Sequence, residues 1–254
     1  MAYKKKFAWS HSALNSFETC AFKHFMTRVS KKIKEPQTPA QQEGLEVHKR
    51  LEDRLKSGIP LQGMMAEYEP FCKKIEQAAG EIFPESSVAL TDQFKKCSPT
   101  DWDNAWFRNV IDVLKINKNK AWVGDWKTGK VDNSKTDQLD LSALTVFVVF
   151  PEVQTINANF IWLKDKSLSP TQTYTRDMVN DIWARFLPRV IKFKEAFDAD
   201  IWPTTQSGLC RNHCIVNTVG QCPEFKKCSP TDWDNAWFRN VIDVLKINKN
   251  KAWV

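Results

Sequence analysis

The residue types best suited to chemistry lie in Arg108-Asn109-Val110-Ile111-Asp112 and, after a polar break, in Val123-Gly124-Asp125-Trp126-Lys127-Thr128-Gly129-Lys130. Asp112 interrupts an apolar run, where a lone carboxylate is costly to bury unless something pairs with it. Asp125 and Lys127 are two apart, so on a strand both project to one side. If the two runs pair as antiparallel strands, Asp112 comes beside Asp125. Two carboxylates held together repel, and a divalent cation between them removes the penalty. Oxygen donors with room for water suit Mg²⁺ or Mn²⁺. Such an ion can grip a scissile phosphate and make water nucleophilic near neutral pH. Lys127 would position that water or neutralise charge developing on the phosphate. The same spacing also fits an ordinary surface hairpin, because acid-x-lysine strings are common.

The elements around these residues follow from periodicity and capping. Phe107–Ile116 and Ala121–Lys127 read as two strands joined by the polar turn Asn117-Lys118-Asn119-Lys120. Upstream, Ser10 and Ser12 are N-cap residues for a helix reaching Val29, with Leu14, Phe17, Phe22 and Phe25 on its apolar side. Thr38-Pro39-Ala40-Gln41 is a capping box with proline at the first helical position, and Gly58 suits the C′ position after Ser57. On that helix Leu45, His48, Leu51 and Leu55 share a face. An inward histidine there is either a satisfied core residue or a metal ligand. Met64–Ala79 reads as a helix restarted near Pro70, so residues 1–80 are expected to be helical. Gln138–Val149 reads as a helix stopped by Pro151, Thr155–Leu163 as a half-buried strand, and Arg176–Ala199 as a long amphipathic helix. The expected class is α/β (α+β): a mixed central sheet flanked by helices, with a helical N-terminal part.

Composition bounds the rest. The chain has 254 residues with 42% hydrophobic and 26% charged, the balance of an ordinary folded protein. Its longest apolar run, Leu144–Phe150, is far too short to span a bilayer. The basic start lacks the apolar stretch of a secretory signal, so the expected location is the cytoplasm, where seven cysteines are thiols or metal ligands. Cys210, Cys214 and Cys222 cluster near the end and either bind metal or remain free thiols. The net charge of +7 fits a polyanionic partner without requiring one. Lys31, Lys32, Lys34, Lys127, Lys130 and Lys135 could touch phosphates. Trp102, Trp106, Trp122 and Trp126 could stack on unpaired bases or simply pack. Residues 225–254 repeat residues 94–123 letter for letter. The copy stops at Val254, the equivalent of Val123, and so lacks any counterpart of Asp125 and Lys127. The expected organisation is a single domain over 1–224, with a catalytic core at 81–200, a cysteine-bearing segment at 201–224 and a non-functional tail at 225–254.

The order of these features resembles the PD-(D/E)xK nuclease superfamily, in particular its RecB-like exonuclease branch and the forms found in phage and CRISPR-associated exonucleases. The resemblance rests on Asp112, then Asp125-Trp126-Lys127-Thr128-Gly129, then Gln138 opening a helix. Upstream it includes Gly44-Leu45-Glu46-Val47-His48 and the series Ser10, Ser12, Leu14, Phe17, Cys20, so it covers roughly Ser10–Cys222. It implies a restriction-endonuclease-like core and a metal-dependent DNA exonuclease of recombination, repair or phage DNA processing. Asp112, Asp125 and His48 would be metal ligands, with the Trp126 carbonyl as a further one and Glu85 at a position often acidic in that family. Lys127 would be the catalytic lysine, Gln138 would support the site or contact DNA, and Lys130 would contact DNA. Cys20, Cys210, Cys214 and Cys222 would hold a [4Fe–4S] cluster, with Zn²⁺ the alternative. The chain departs from the family pattern at Asn109, where glycine is usual, at Ser142, where tyrosine is usual, and at Ala21, where proline often follows the first cysteine. Two other readings stay open: an inactive nucleic-acid-binding or assembly module, and an endonuclease of repair or restriction type.

Overall fold

A computed structural model describes residues 6–225, which divide into two units: 6–19 with 36–202, and 20–35 with 203–225. The copied tail, with Cys228, lies outside the described residues apart from its first residue.

The larger unit begins with α1 (His11–Thr19), whose Leu14 and Phe17 are buried. The smaller unit takes up the chain at Cys20, the N-cap of α2 (Ala21–His24), which continues as a π turn over Phe25–Val29. The expected continuous helix to Val29 is therefore broken: the Cys20 thiol accepts from the Lys23 amide and starts a new element. Residues 36–57 return to the larger unit. There α3 (Pro39–Ser57) has the expected capping box between Thr38 and Gln41 and ends on left-handed Gly58. Its apolar stripe differs from the expected one by two positions, for Leu45 is 59% exposed while Val47 is buried with Leu51 and Leu55. A 3₁₀ turn, Gly63–Tyr68, leads into α4 (Glu69–Gln77), so the restart near Pro70 is real.

The sheet comprises β1 (Glu81–Leu90), β2 (Lys96–Cys97), β3 (Phe107–Asn117) and β4 (Lys120–Lys127), then, after α5 (Asp137–Val149), β5 (Thr155–Trp162), β6 (Ser167–Leu168) and β7 (Gln172–Thr175). Its order is β2-β1-β3-β4-β5-β6, with β7 also on β5. β4 and β5 run parallel and the other pairs antiparallel, giving a mixed sheet. The β4–β5 crossover is α5, as parallel pairing requires. Helix α6 (Val179–Ala199) follows, buried along Ile182, Trp183, Phe186, Val190 and Phe193. One core layer packs Val47, Leu51 and Leu55 of α3 and Cys72 and Ile75 of α4 against Val113, Trp126 and Ile161 of the sheet. Helix α5 contacts β3, β4, β5 and α6, so the mixed sheet is flanked by helices as expected. No helix among the described residues is long and apolar enough to cross a membrane.

The smaller unit closes residues 20–35 onto α7 (Cys210–His213) and α8 (Ile215–Thr218). Met26, Ile33 and Val216 form its core, with Cys214 and Cys222 packed against it.

Candidate active site

The hairpin β3–β4 positions the central residues. Its two-residue turn, with Lys118 in a left-handed conformation (φ 54°), sets a register from Asn117↔Lys120 to Val113↔Gly124. One rung further in that register, Asp112 stands opposite Asp125. There the backbone pairing ends, and the Trp126 amide donates 2.8 Å to Asp112 Oδ2 instead. The buried-run carboxylate thus has a first reason to be where it is: it serves a backbone donor that the ladder leaves unpaired.

The other flank of β3 shows the same break. Pro84↔Val113 and Ser86↔Ile111 pair, and the intervening row sets Glu85 opposite Asp112. Glu85 has φ 49°, a conformation strained for a side chain of its size. It lies within β1 and is half-buried. Burial first, and then the charge of Asp112, push its carboxyl above the usual range.

Asp125 is 5% exposed, and Lys127 Nζ lies 2.6 Å from its Oδ2. That oxygen is buried and receives no well-aligned hydrogen bond, so the lysine meets it as a charge off the hydrogen-bonding direction. Gln138, in the first turn of α5, bridges the pair: its amide donates to Asp125 Oδ1, and its Oε1 accepts from Lys127 Nζ at 2.7 Å. Burial pushes the Asp125 carboxyl up to about 6, with Lys127 opposing and the Asp112 charge adding to the rise. Lys127 also sits 5.0 Å from the centre of the Phe160 ring.

His48 comes from α3, its Nδ1 3.4 Å from Asp112 Oδ2. Burial disfavours its imidazolium, but the hydrogen bond and charge of Asp112 outweigh that and raise its pKa. Gly44, one turn earlier, explains how the helix comes so near: a Cβ there would be 3.2 Å from Thr128 Oγ1, just past the end of β4. The structure therefore brings His48, Glu85, Asp112, Asp125, Lys127 and Gln138 around one end of the hairpin.

Lys130 behaves otherwise, being exposed beyond β4. A cavity of about 600 Å³ beside Lys127 and Gln138 is lined instead by His11, Lys135, Phe160, Trp162 and Arg185, among others. Several residues that set the site gave no sequence signal. Arg189 of α6 bonds Asp137 at 2.7 Å and Glu18 at 2.7 Å, fixing the start of α5 and hence Gln138. The departures at Asn109 and Ser142 meet: Asn109 Nδ2 donates to Ser142 Oγ and Thr145 Oγ1, both at 3.3 Å, and all three residues are buried. They form one internal polar cluster in which each hydroxyl and amide has a partner.

Among the described residues, no three His, Cys, Asp or Glu side chains are grouped closely enough to hold a metal ion. The donor chemistry nonetheless fits a hard divalent cation, with two facing carboxylates, one buried oxygen lacking an aligned donor, and Glu85 in the next strand. The four cysteines of the expected cluster, Cys20, Cys210, Cys214 and Cys222, are all half-buried free thiols of the smaller unit. Cys210 is engaged locally, accepting from the Ser207 amide at 3.2 Å.

Residues 8–111 match the family model for the PD-(D/E)XK nuclease superfamily, a span that ends one residue before Asp112. No curated protein matches the chain. Among solved structures, a candidate exonuclease from Eubacterium rectale superposes with a TM-score of 0.51 at 12% identity, covering 83% of this chain and 88% of its own. The protein SSO0001 gives 0.47 at 13% identity, covering 87% and 88%. The mixed α/β architecture matches the fold of that nuclease superfamily.

Proposed function

We propose that the chain is a metal-dependent deoxyribonuclease that acts as an exonuclease of RecB-like type on DNA. The observation that carries this reading is the facing of Asp112 and Asp125 across the last rungs of one hairpin, with Lys127 2.6 Å from Asp125. The family match over residues 8–111 supports it.

In this reading Asp112, Asp125 and His48, with Glu85 and the Trp126 carbonyl, would hold Mg²⁺ or Mn²⁺. When bound, the ion supplies Lewis acidity toward the scissile phosphate and lowers the pKa of water. The protein's own groups do the rest. The Lys127 ammonium offsets the negative charge that builds on the phosphate in the transition state. Gln138 holds that ammonium in place and fixes the Asp125 carboxylate. Phe160 and Trp162 are buried and form the floor of the adjoining cavity, while Lys135 and Arg185 on its wall meet phosphates.

The activity resides in residues 1–224, and the duplicated tail contributes none of it. Cys20, Cys210, Cys214 and Cys222 would be the ligands of a [4Fe–4S] cluster, with Zn²⁺ the alternative. Their common membership of the smaller unit supports this, but they would have to draw together, and Cys210 to leave its turn, to hold the group. Iron and sulfide analysis with visible absorption after anaerobic purification decides it: zinc alone, or no metal, removes the cluster. We place the chain in the cytoplasm, where thiols stay reduced and can ligate metal.

The test is hydrolysis of end-labelled linear and closed circular DNA with Mg²⁺ or Mn²⁺, comparing wild type with Asp125→Ala and Lys127→Ala. Loss of linear DNA alone, abolished in both variants, is expected. Cleavage of circles would make the enzyme an endonuclease. Binding of DNA without cleavage, unchanged in Asp125→Ala, would make the chain a binding module.

A further inference from the structure

A second cavity, of about 480 Å³, lies at the opposite end of the hairpin from the carboxylates. Its walls include Asn117 and Lys120 at the β3–β4 turn, five residues along β3 from Asp112, or about 17 Å of extended chain. The volume falls in the roughly 300–1,000 Å³ range of small-molecule sites.

Its chemistry is two-sided. Phe71, Ile75, Trp122, Ile161 and Leu168 supply an apolar lining, while Lys74, Lys115, Lys120 and Lys166 supply positive charge, and among the described residues no carboxylate lines it. Two of these lysines are already engaged. Lys115 is buried and donates to the Ile75 and Glu76 carbonyls at the end of α4, and Lys166 pairs with Glu67 at 3.2 Å. Lys74 and Lys120 are exposed and have no ion-pair partner among the described residues.

The aromatic wall is fixed in orientation. The Trp122 indole N–H donates 3.0 Å to Asn159 Oδ1, and its ring lies across Gly124, where a Cβ would come within 2.3 Å of it. Asn157, also on the wall, accepts from the Thr173 hydroxyl at 2.9 Å through its carbonyl oxygen, and its amide hydrogens have no partner among the described residues.

We propose that this cavity binds a nucleoside phosphate, its base against Trp122 and its phosphate between Lys74 and Lys120. A flat ring suits the rigid indole, and the asparagine amides suit the polar edge of a base. Lysines act as compact point charges for phosphate, without the planar fork that favours carboxylate. An aliphatic acid would satisfy the charges and leave the amides unused. The site is independent of the nuclease reading, since it shares no residue with it.

Calorimetric titration of the full chain in EDTA tests this with dAMP, deoxyadenosine, octanoate and a short oligodeoxyadenylate. EDTA keeps the carboxylate site free of metal and the oligonucleotide intact. The expected result is that dAMP binds at least about tenfold more tightly than deoxyadenosine or octanoate, the loss of one well-placed charge contact. Lys74→Glu/Lys120→Glu should lose that binding with an unchanged melting temperature. If the oligonucleotide displaces dAMP, the natural occupant is a nucleotide unit of a strand; if not, it is a free nucleotide. No dAMP binding at millimolar concentration, equal binding of deoxyadenosine or octanoate, or dAMP binding that survives the double substitution would overturn the proposal. The comparison of ligands on the unmodified chain needs no variant to fold.

Discussion

Gln138 touches both members of the Asp125–Lys127 pair, and each of those groups has a reason to drift without it. Asp125 is buried beside another carboxylate, and Lys127 has a flexible stem that Phe160 alone would hold loosely. Gln138→Leu should therefore lower kcat by roughly 100-fold, the cost of a misplaced catalytic group, while KM for DNA changes little. Steady-state kinetics on linear DNA reads both. Away from the site, Arg54 is buried and holds Glu69 at 2.7 Å and Glu76 at 2.6 Å. Its hydrogen bonds keep the Glu69 carboxyl down at about 2 against an ordinary 4.5. A depressed pKa means this stabilisation is complete above about pH 4.5 and disappears as pH falls toward 2. Urea titrations between pH 7 and pH 2 should show stability falling over that window. Arg54→Met should cost about 3 kcal/mol at pH 7, because the buried Glu69 carboxylate loses its partner. It should also flatten the acid dependence.

At the level of elements, the approach of α3 to the end of β4 decides where His48 stands. Gly44→Ala would put a methyl group 3.2 Å from Thr128 Oγ1 and push the helix outward by a few tenths of an ångström. Activity should fall by about tenfold, in line with small displacements of catalytic geometry. Gly44→Ala/Thr128→Ala should recover most of it, since the second change removes the atom in the way. A double variant no better than the single would show that the helix position is set elsewhere. The elements with local signals were legible in the sequence: the capping box of α3, the β3–β4 hairpin, the apolar run of α5 and the long stripe of α6. β1 was not, because Glu81-Ile-Phe-Pro-Glu-Ser-Ser has neither alternation nor strand propensity. It is a strand because β3 offers it partners along most of its length, a non-local fact. That also hid the position of Glu85. The clamp of Arg189 on Asp137 and Glu18 joins three helices far apart in sequence, and no periodicity announces it. Asp112, Asp125, Lys127, Gln138 and His48 were singled out because their order and spacing resemble a known motif series, and the structure brings them to one end of the hairpin.

Across the whole molecule, the two units should respond to acid differently. In the smaller unit, burial first and then Arg28 push the His24 pKa down to about 4 from 6.5. A histidine whose folded pKa is depressed disfavours protonation, so folding loses free energy as pH falls from about 6.5 toward 4. The Glu69 contribution in the larger unit is intact over most of that range. Protection factors at α2, corrected for the intrinsic pH dependence of amide exchange, should therefore fall between pH 6.5 and pH 4 before those at β3 and β4 do; a simultaneous fall would contradict this. Truncation after residue 224 should leave nuclease activity within about twofold of the full chain, as expected for removal of residues outside the catalytic geometry. The turn at Lys118–Asn119 carries one more implication, about length rather than identity. Because a strand alternates sides at every residue, adding or deleting one residue there would set Asp112 against Gly124 or Trp126 instead of Asp125. Many side chains can be exchanged in that turn without touching the chemistry, but its count of residues works as a ruler, and descendants of this chain are free to edit its spelling while keeping its measure.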